Sequence, residues 1–146
     1  MKNMQKGIDY IGVGVTYFCH DGQGNVLMSF RGPKARDEHF KWDIGGGGLK
    51  HGETLVDALK RELAEEYLTE PVEIELLGFR QVHRVHNGVK THWINFDHKV
   101  RIDPKKFGNG EPNVLEEVKW FKFEEMPENL HSQVPNFLNL YKDRLF

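Results

Sequence analysis

Arg61-Glu62-Leu63-Ala64-Glu65-Glu66 brings three carboxylates and a guanidinium into less than two turns of a helix. With Glu62 at 0° and about 100° per residue, Glu65 falls near about 300° and Glu66 near about 40°, so the acids share one stripe. Leu55, Val56, Leu59 and Leu63 occupy roughly 20° to 120° on the same scale, which puts that stripe at the edge of the apolar face. Like charges at this spacing cost roughly 0.2–0.5 kcal/mol per pair in an isolated helix. Grouped hard oxygen donors suit Mg²⁺ or Mn²⁺, which take a few carboxylates and complete their shell with water and substrate phosphates. An acidic run of this kind also occurs as a solvated helix face paired with Lys60 and Arg61. What sets this one apart lies upstream, where Gly45, Gly46, Gly47 and Gly48 stand in a row before Glu53. Backbone without side chains can approach a metal or a phosphate closely.

Those residues must be positioned by the elements around them. Leu55, Val56, Leu59 and Leu63 recur at helical spacing, so residues 54–67 read as an amphipathic helix. Thr54 with Asp57 is a capping-box start, and Pro71 is a stop that excludes helical geometry from the residue before it. Residues 8–18 and 25–30 alternate and are rich in β-branched and aromatic side chains, and the Gly/Asp cluster between them reads as the turn of a hairpin. A short strand at 40–44 delivers the glycine run, which reads as a turn. Residues 73–86 and 89–100 read as strands joined by Asn87-Gly88, a two-residue type I′ turn that sets Val82 opposite Trp93 and His83 opposite His92. A loop at 104–113, a strand at 118–123 and a closing helix at 133–146 complete a single domain over 1–146 of mixed α/β (α+β) class.

Composition narrows the function. The chain has 146 residues, 20 Lys plus Arg against 22 Asp plus Glu, and one cysteine, Cys19. That length suffices for one well-packed core. A single cysteine excludes an internal disulfide framework and a paired-cysteine redox or zinc site, and fits a reducing cytoplasmic setting. A net charge of −2 argues against a duplex nucleic-acid binder, which carries a strongly basic face. No apolar stretch is long enough to cross a membrane, and the stretch from Met1 to Lys6 is not followed by the apolar core of a leader peptide.

Gly47, five residues, Glu53, seven residues, then Arg61-Glu62-Leu63-Ala64-Glu65-Glu66 resembles the Nudix box, G-x5-E-x7-R-E-U-x-E-E-x-G-U, where U is a bulky aliphatic residue. Trp42-Asp43-Ile44-Gly45-Gly46-Gly47 resembles the W-x-x-P-G-G lead-in of the family, and Glu116-Glu117-Val118-Lys119-Trp120-Phe121 with Glu124-Glu125-Met126-Pro127 resembles its last strand and following turn. The sequence departs from the pattern at Gly45, Leu68 and Thr69. Leu68 takes a left-handed cap less easily than glycine, which predicts a helix end shifted toward Pro71.

The resemblance implies a Nudix-like α/β/α sandwich with a central mixed sheet, and hydrolysis of the diphosphate in a nucleoside diphosphate linked to another moiety. Glu62, Glu65, Glu66 and the Gly46 carbonyl would hold Mg²⁺ or Mn²⁺, with Glu62, Glu66 and Arg61 the catalytic set. Gly47 and Glu53 would be structural, with Arg61 pairing to a carboxylate to hold the helix face. Glu111, Glu116 and Glu117 are the candidates for a distal base or further ligand. It also implies a small-molecule partner and a homodimer. Two rival readings share the fold: a non-catalytic nucleotide sensor, and an isopentenyl diphosphate isomerase, which would need Cys19 as a catalytic thiol.

Arg31, Lys34 and Arg36 before the glycine run, with Arg80 and Arg84 on the later hairpin, are candidate phosphate contacts; Arg31, Arg36 and Arg84 are carried forward as the substrate-binding set. His83, His86, His92 and His98 raise a zinc reading, but only His83 and His92 oppose each other, so they read as surface or substrate-side residues. Trp42, Trp93 and Trp120 are either core or base-stacking. ADP-ribose, a dinucleotide, a nucleotide sugar and a (d)NTP, oxidised or not, all fit as substrates.

Overall fold

The computed structural model describes residues 3–146; Met1 and Lys2, the start of the amino-terminal stretch read above, lie outside them. Along the chain run β1 (Gly12–His20), β2 (Asn25–Arg31), β3 (Trp42–Asp43), β4 (Gly46–Gly48), α1 (Leu55–Tyr67), β5 (Glu73–His86), β6 (Val89–Arg101), β7 (Leu115–Lys122) and α2 (Gln133–Tyr141). The strands form one mixed sheet in the order β3-β2-β1-β6-β5, with β4 added to β1 and β7 to β2. Among the strand pairs of the described residues, β1 and β6 are the ones that run parallel, from Gly12 beside Trp93 to His20 beside Arg101.

Strand alternation assigns the two faces of the sheet. Tyr17 and Cys19 point to α1 and pack with Leu27, Leu59, Leu63, Tyr67, Val100 and Ile102. Phe18, between them, points the other way and packs with Val26, Met28, Trp42, Ile44, Val134, Phe137 and Tyr141 beneath α2. The result is an α/β/α sandwich. Full burial of a side chain such as Leu59 or Leu63 contributes roughly 1.5–3 kcal/mol, so α1 is held by packing and not by its own propensity.

Several expectations are corrected. The glycine run is not a turn: Gly46, Gly47 and Gly48 form β4 opposite Thr16, Val15 and Gly14. Glycine is a poor strand former, but a Cβ on Gly46 would stand 2.5 Å from the Val15 carbonyl oxygen. The first strand begins at Gly12 and not at residue 8, because Gly7 adopts φ +82° and residues 5–10 turn back on themselves through Gly7 N–H to Tyr10 O at 2.8 Å. The expected hairpin is reduced to one pairing, His20 with Val26, since β1 is engaged by β4 and β6 while β2 turns to β7. The closing helix ends at Tyr141 and continues as a 3₁₀ turn, Lys142–Arg144. The last strand starts at Leu115.

The α1 boundaries follow their local chemistry. Thr54 Oγ1 accepts from Asp57 N–H at 3.1 Å and Asp57 Oδ2 accepts from Thr54 N–H at 3.1 Å, a complete capping box. At the other end the helix does not extend toward Pro71: Leu68 itself takes the left-handed conformation, φ 52°, ψ 41°, and donates its N–H to Leu63 O. A left-handed non-glycine residue costs roughly 1 kcal/mol, and the Leu68 side chain is 59% exposed, so little packing offsets that cost. Leu68→Gly is expected to raise the thermal midpoint by about 2–4 °C in a calorimetric melt. A fall of that size would show that the contact of Leu68 with the 108–110 loop outweighs the strain.

Candidate active site

The acid helix lies directly on the glycine strand. A Cβ on Gly47 would stand 2.1 Å from the Glu62 carboxyl carbon, and one on Gly45 would stand 2.7 Å from Glu66 Oε1. No side chain larger than hydrogen fits between strand and carboxylates. The antiparallel ladder also orients the strand's carbonyls. Tyr17 N–H donates to Gly45 O at 3.2 Å and Leu49 N–H to Val13 O at 2.9 Å, so Gly45, Gly47 and Leu49 are the residues bonded to β1. Alternation turns the Gly46 and Gly48 carbonyls away from β1, and Gly48 O is found on that side accepting from Arg61 Nη2 at 2.8 Å.

Arg61 ties this arrangement together. Its Nε and Nη2 donate to Glu53 Oε2 and Oε1 at 2.7 and 2.9 Å, and its Nη1 donates to Glu62 Oε1 at 2.7 Å and reaches Glu65 Oε2 at 3.4 Å. Glu53 Oε1 also accepts from Lys50 N–H at 2.8 Å. The bidentate guanidinium holds the Glu53 carboxyl at a pKa of about 2, well below its usual 4.5. Glu66 Oε1 accepts from the buried Tyr17 hydroxyl at 2.7 Å.

The acids are under electrostatic pressure. Burial pushes the Glu66 carboxyl well up, opposed by the Tyr17 hydrogen bond and reinforced by Asp43, Glu111 and Glu62. Burial likewise raises Glu62, with Arg61 opposing and Glu65 and Glu111 adding to the rise. Of the three distal candidates, Glu111 is thus the one whose charge is felt by both helix acids. Its loop is anchored there by Gly110 N–H donating to Glu66 O at 2.9 Å. Glu116 and Glu117 lie exposed on β7, Glu116 against Gly32 and Glu117 opposite Phe30. Asp43 was missed as a site residue. Its signal was available, since it immediately precedes Ile44 and the glycine run on a two-residue strand.

Among the described residues, no three acid, imidazole or thiol groups already converge as a closed metal site. The donor set nonetheless fits a hard divalent cation. Arg61 takes Oε1 of Glu62 and Tyr17 takes Oε1 of Glu66, leaving Oε2 of each with no hydrogen-bond partner among the described residues, beside a strand edge that turns the Gly46 carbonyl outward.

A cavity of about 520 Å³ opens on the α2 face of the sheet, bordered by Asp43 and residues 45–48. Arg31, Arg36 and Arg84 all line it. All three are already paired: Arg31 Nη2 donates to Asp37 Oδ1 at 2.8 Å, Arg84 Nη2 donates to Glu38, and the largely exposed Arg36 has its Nε 3.9 Å from Asp37 Oδ2. Lys34 is not among the lining residues. His86 and His131 join the same carboxylates, at 3.2 Å from Asp37 and 3.0 Å from Glu38. His83 and His92 stack on the opposite face, ring centroids 4.1 Å apart, and His98 is buried with Nδ1 3.2 Å from Thr16 O. Trp42 is core, and Trp93 lines the cavity. Cys19 is buried beneath α1 with its thiol pKa pushed well up by burial, an inert position for the catalytic thiol that an isomerase needs.

The NUDIX domain model matches residues 11–141. An RNA pyrophosphohydrolase of Bartonella clarridgeiae is 26% identical over 137 residues, covering 79% of this chain and 77% of that protein. In fold, the chain resembles a MutT NUDIX hydrolase from Burkholderia pseudomallei, with a TM-score of 0.78 at 23% identity over 89% of this chain and 97% of the other. It also resembles the NUDIX domain of Shewanella oneidensis NrtR complexed with ADP ribose, with a TM-score of 0.73 at 20% identity over 94% and 90% of the two chains. No helix among the described residues is long and apolar enough to cross a membrane.

The Glu53–Arg61 pair has a pH signature. A carboxyl held at about 2 when folded, against 4.5 for the free group, stabilises the fold fully above about 4.5, and that contribution disappears as pH falls through about 2. Glu53→Gln is expected to lower stability at neutral pH and to flatten the decline between about pH 4.5 and 2 in urea titrations. An unchanged slope in that window would exclude the pair as its source.

Proposed function

The chain belongs to the NUDIX family, and we propose that it hydrolyses the diphosphate of a nucleoside diphosphate linked to another moiety, using Mg²⁺ or Mn²⁺. Hydrolysis of a phosphoric anhydride is supported by the family match and by the pyrophosphohydrolase relative. The single observation that carries the finer reading is the contact of bare backbone at Gly47 and Gly45 with Glu62 and Glu66 under the Arg61 clamp.

Glu62, Glu65, Glu66 and the Gly46 carbonyl are assigned to hold the cation. When bound, it would neutralise substrate phosphate charge and make bound water more acidic. Glu111 is assigned as the group that accepts the proton of the attacking water on its carboxylate, because its charge acts on both Glu62 and Glu66 and its loop is anchored to the acid helix by Gly110 N–H to Glu66 O. Arg61 holds Glu62 by one nitrogen and the glycine strand by another, so it positions the helix acids without needing to touch substrate. Arg31, Arg36 and Arg84 are assigned to the phosphates. Asp37 and Glu38, which hold Arg31 and Arg84, would have to share them with substrate. The charged helix retains every acid of the box, which favours catalysis over nucleotide sensing alone.

Released phosphate and nucleoside monophosphate should be measured with ADP-ribose, a dinucleotide, a nucleotide sugar and (d)NTPs, each with Mg²⁺ or Mn²⁺. At least one compound is expected to turn over only with the cation present. Glu66→Gln, nearly isosteric, is expected to reduce that turnover by roughly 10²–10³-fold at unchanged secondary structure, in keeping with the several kcal/mol a metal ion supplies. Turnover at the wild-type rate in that variant would sink the assignment of α1 as the catalytic helix.

A further inference from the structure

Along the cavity wall on the α2 face, two successive rungs that share that face of the β5–β6 ladder differ in chemistry: Val82 pairs with Trp93 and, two residues along, Arg80 pairs with Asn95. Both rungs point into the cavity. Trp93 lies on bare backbone: a Cβ on Gly12 would stand 2.6 Å from its ring and one on Gly7 2.2 Å from its Nε1. The glycines therefore leave room for a large flat side chain beside the cavity, where a core would have filled the space with smaller groups.

Arg80 is only 6% exposed and cannot turn. Its Nε and Nη2 donate to both oxygens of the fully buried Asp97, at 2.7 and 2.9 Å, and Asp97 Oδ2 also accepts from the Tyr141 hydroxyl at 2.7 Å. Nη1 reaches Gln133 Oε1 at 3.4 Å, a weak contact. One N–H on each terminal nitrogen is left for an acceptor in the cavity. Asn95, opposite it, has a side-chain amide with no hydrogen-bond partner among the described residues. A buried fixed fork of donors beside an uncommitted amide is an expensive feature unless something in the cavity completes it.

We propose that these two rungs form a nucleobase subsite selective for a 6-oxopurine, which rests on the reading of the substrate as a nucleotide. The purine ring stacks on Trp93 and Val82, the Arg80 fork donates to the 6-oxo oxygen and N7, and Asn95 meets a second edge of the ring. A guanidinium can only donate. Guanine offers it two acceptors, whereas adenine offers one acceptor and an amino group whose hydrogens oppose those of Arg80. The cavity volume of about 520 Å³ lies in the range of sites that enclose such ligands.

The test is calorimetric titration of the metal-free protein with GMP and with AMP, so that neither cation nor turnover enters. GMP is expected to bind about tenfold tighter or more, a difference set by one bidentate contact. Trp93→Leu should weaken both nucleotides and leave their ratio intact. Arg80→Lys keeps a positive charge beside Asp97 but removes the fork, and should bring the ratio close to one. Asn95→Leu, at a half-buried position with no partner to lose, should also narrow it and serves where Arg80→Lys does not fold. Equal or tighter binding of AMP, no binding of either at millimolar concentration, or a ratio unmoved in a folded Arg80→Lys or Asn95→Leu protein would each overturn the subsite. Those results leave the hydrolytic reading standing, which fails separately if no diphosphate in the panel is cleaved.

Discussion

Everything at the candidate active site depends on one steric condition, that a carboxylate-bearing helix face can rest directly on a β-strand. Residues 45–48 meet it by having no side chains. The Cβ positions that would collide with Glu62, with Glu66 and with the Val15 carbonyl are vacant because each residue is glycine. The cost is conformational, since a glycine strand surrenders more chain entropy than any other. The sheet offsets that cost by pairing β4 with β1, which is itself fixed along its whole length to β6.

Bringing acids to a strand creates a charge problem that Arg61 solves locally. Exposed ion pairs contribute little, with a median of about 0–1 kcal/mol. Arg61 is not that case: it is bidentate to Glu53, bonded to Glu62 and bonded to a backbone carbonyl, so its geometry is over-determined. What it neutralises matters less than what it leaves alone. Among the described residues, no cation pairs with Glu66 and its one hydrogen-bonded side-chain partner is the Tyr17 hydroxyl, while burial together with Asp43 and Glu111 disfavours its charge. The protein thus spends its own guanidinium on the outer part of the acid stripe and leaves the inner part electrostatically unsatisfied, which is the distribution that a bound divalent cation would reverse.

The helix was legible because its signals are local. Thr54, Asp57 and the i, i+3, i+4 apolar spacing lie within one segment, and the type I′ turn at Asn87-Gly88 fixes the register of Val82 against Trp93 through two residues alone. The glycine run was misread because composition argues against a strand there. The deciding fact, Val15 and Glu62 pressing from either side, lies far off in sequence. The β1–β2 hairpin failed for a related reason: alternation identifies a strand but not its partner, and β1 takes a parallel neighbour 81 residues away. The structure brings Arg31, Arg36, Arg80 and Arg84 to one cavity, and the pairing of Arg31 and Arg84 with Asp37 and Glu38 depends on the loop's path, including the left-handed φ of 47° at Glu38, that no periodicity encodes. Glu111 could not be separated from Glu116 and Glu117 because loops carry no register.

The glycine strand also explains how recognition and chemistry can be built on different faces without being separated. Strand alternation sends Tyr17 to the α1 side, where it meets Glu66, and Thr16 to the cavity on the α2 side. Asp43 and residues 45–48 border that cavity, and within that run Gly45 and Gly47 lie against Glu66 and Glu62. A wall only one backbone thick therefore divides them. A nucleotide whose base occupies the cavity needs only to pass the edge of β4 for its phosphates to reach the helix. Each face depends on its own bare backbone: a side chain at residue 47 on β4 would displace Glu62 on one side, and a side chain at residue 12 on β1 would displace Trp93 on the other. On the proposed reading, catalysis and base recognition would meet at a strand that lends the acid side a backbone carbonyl and no side chain.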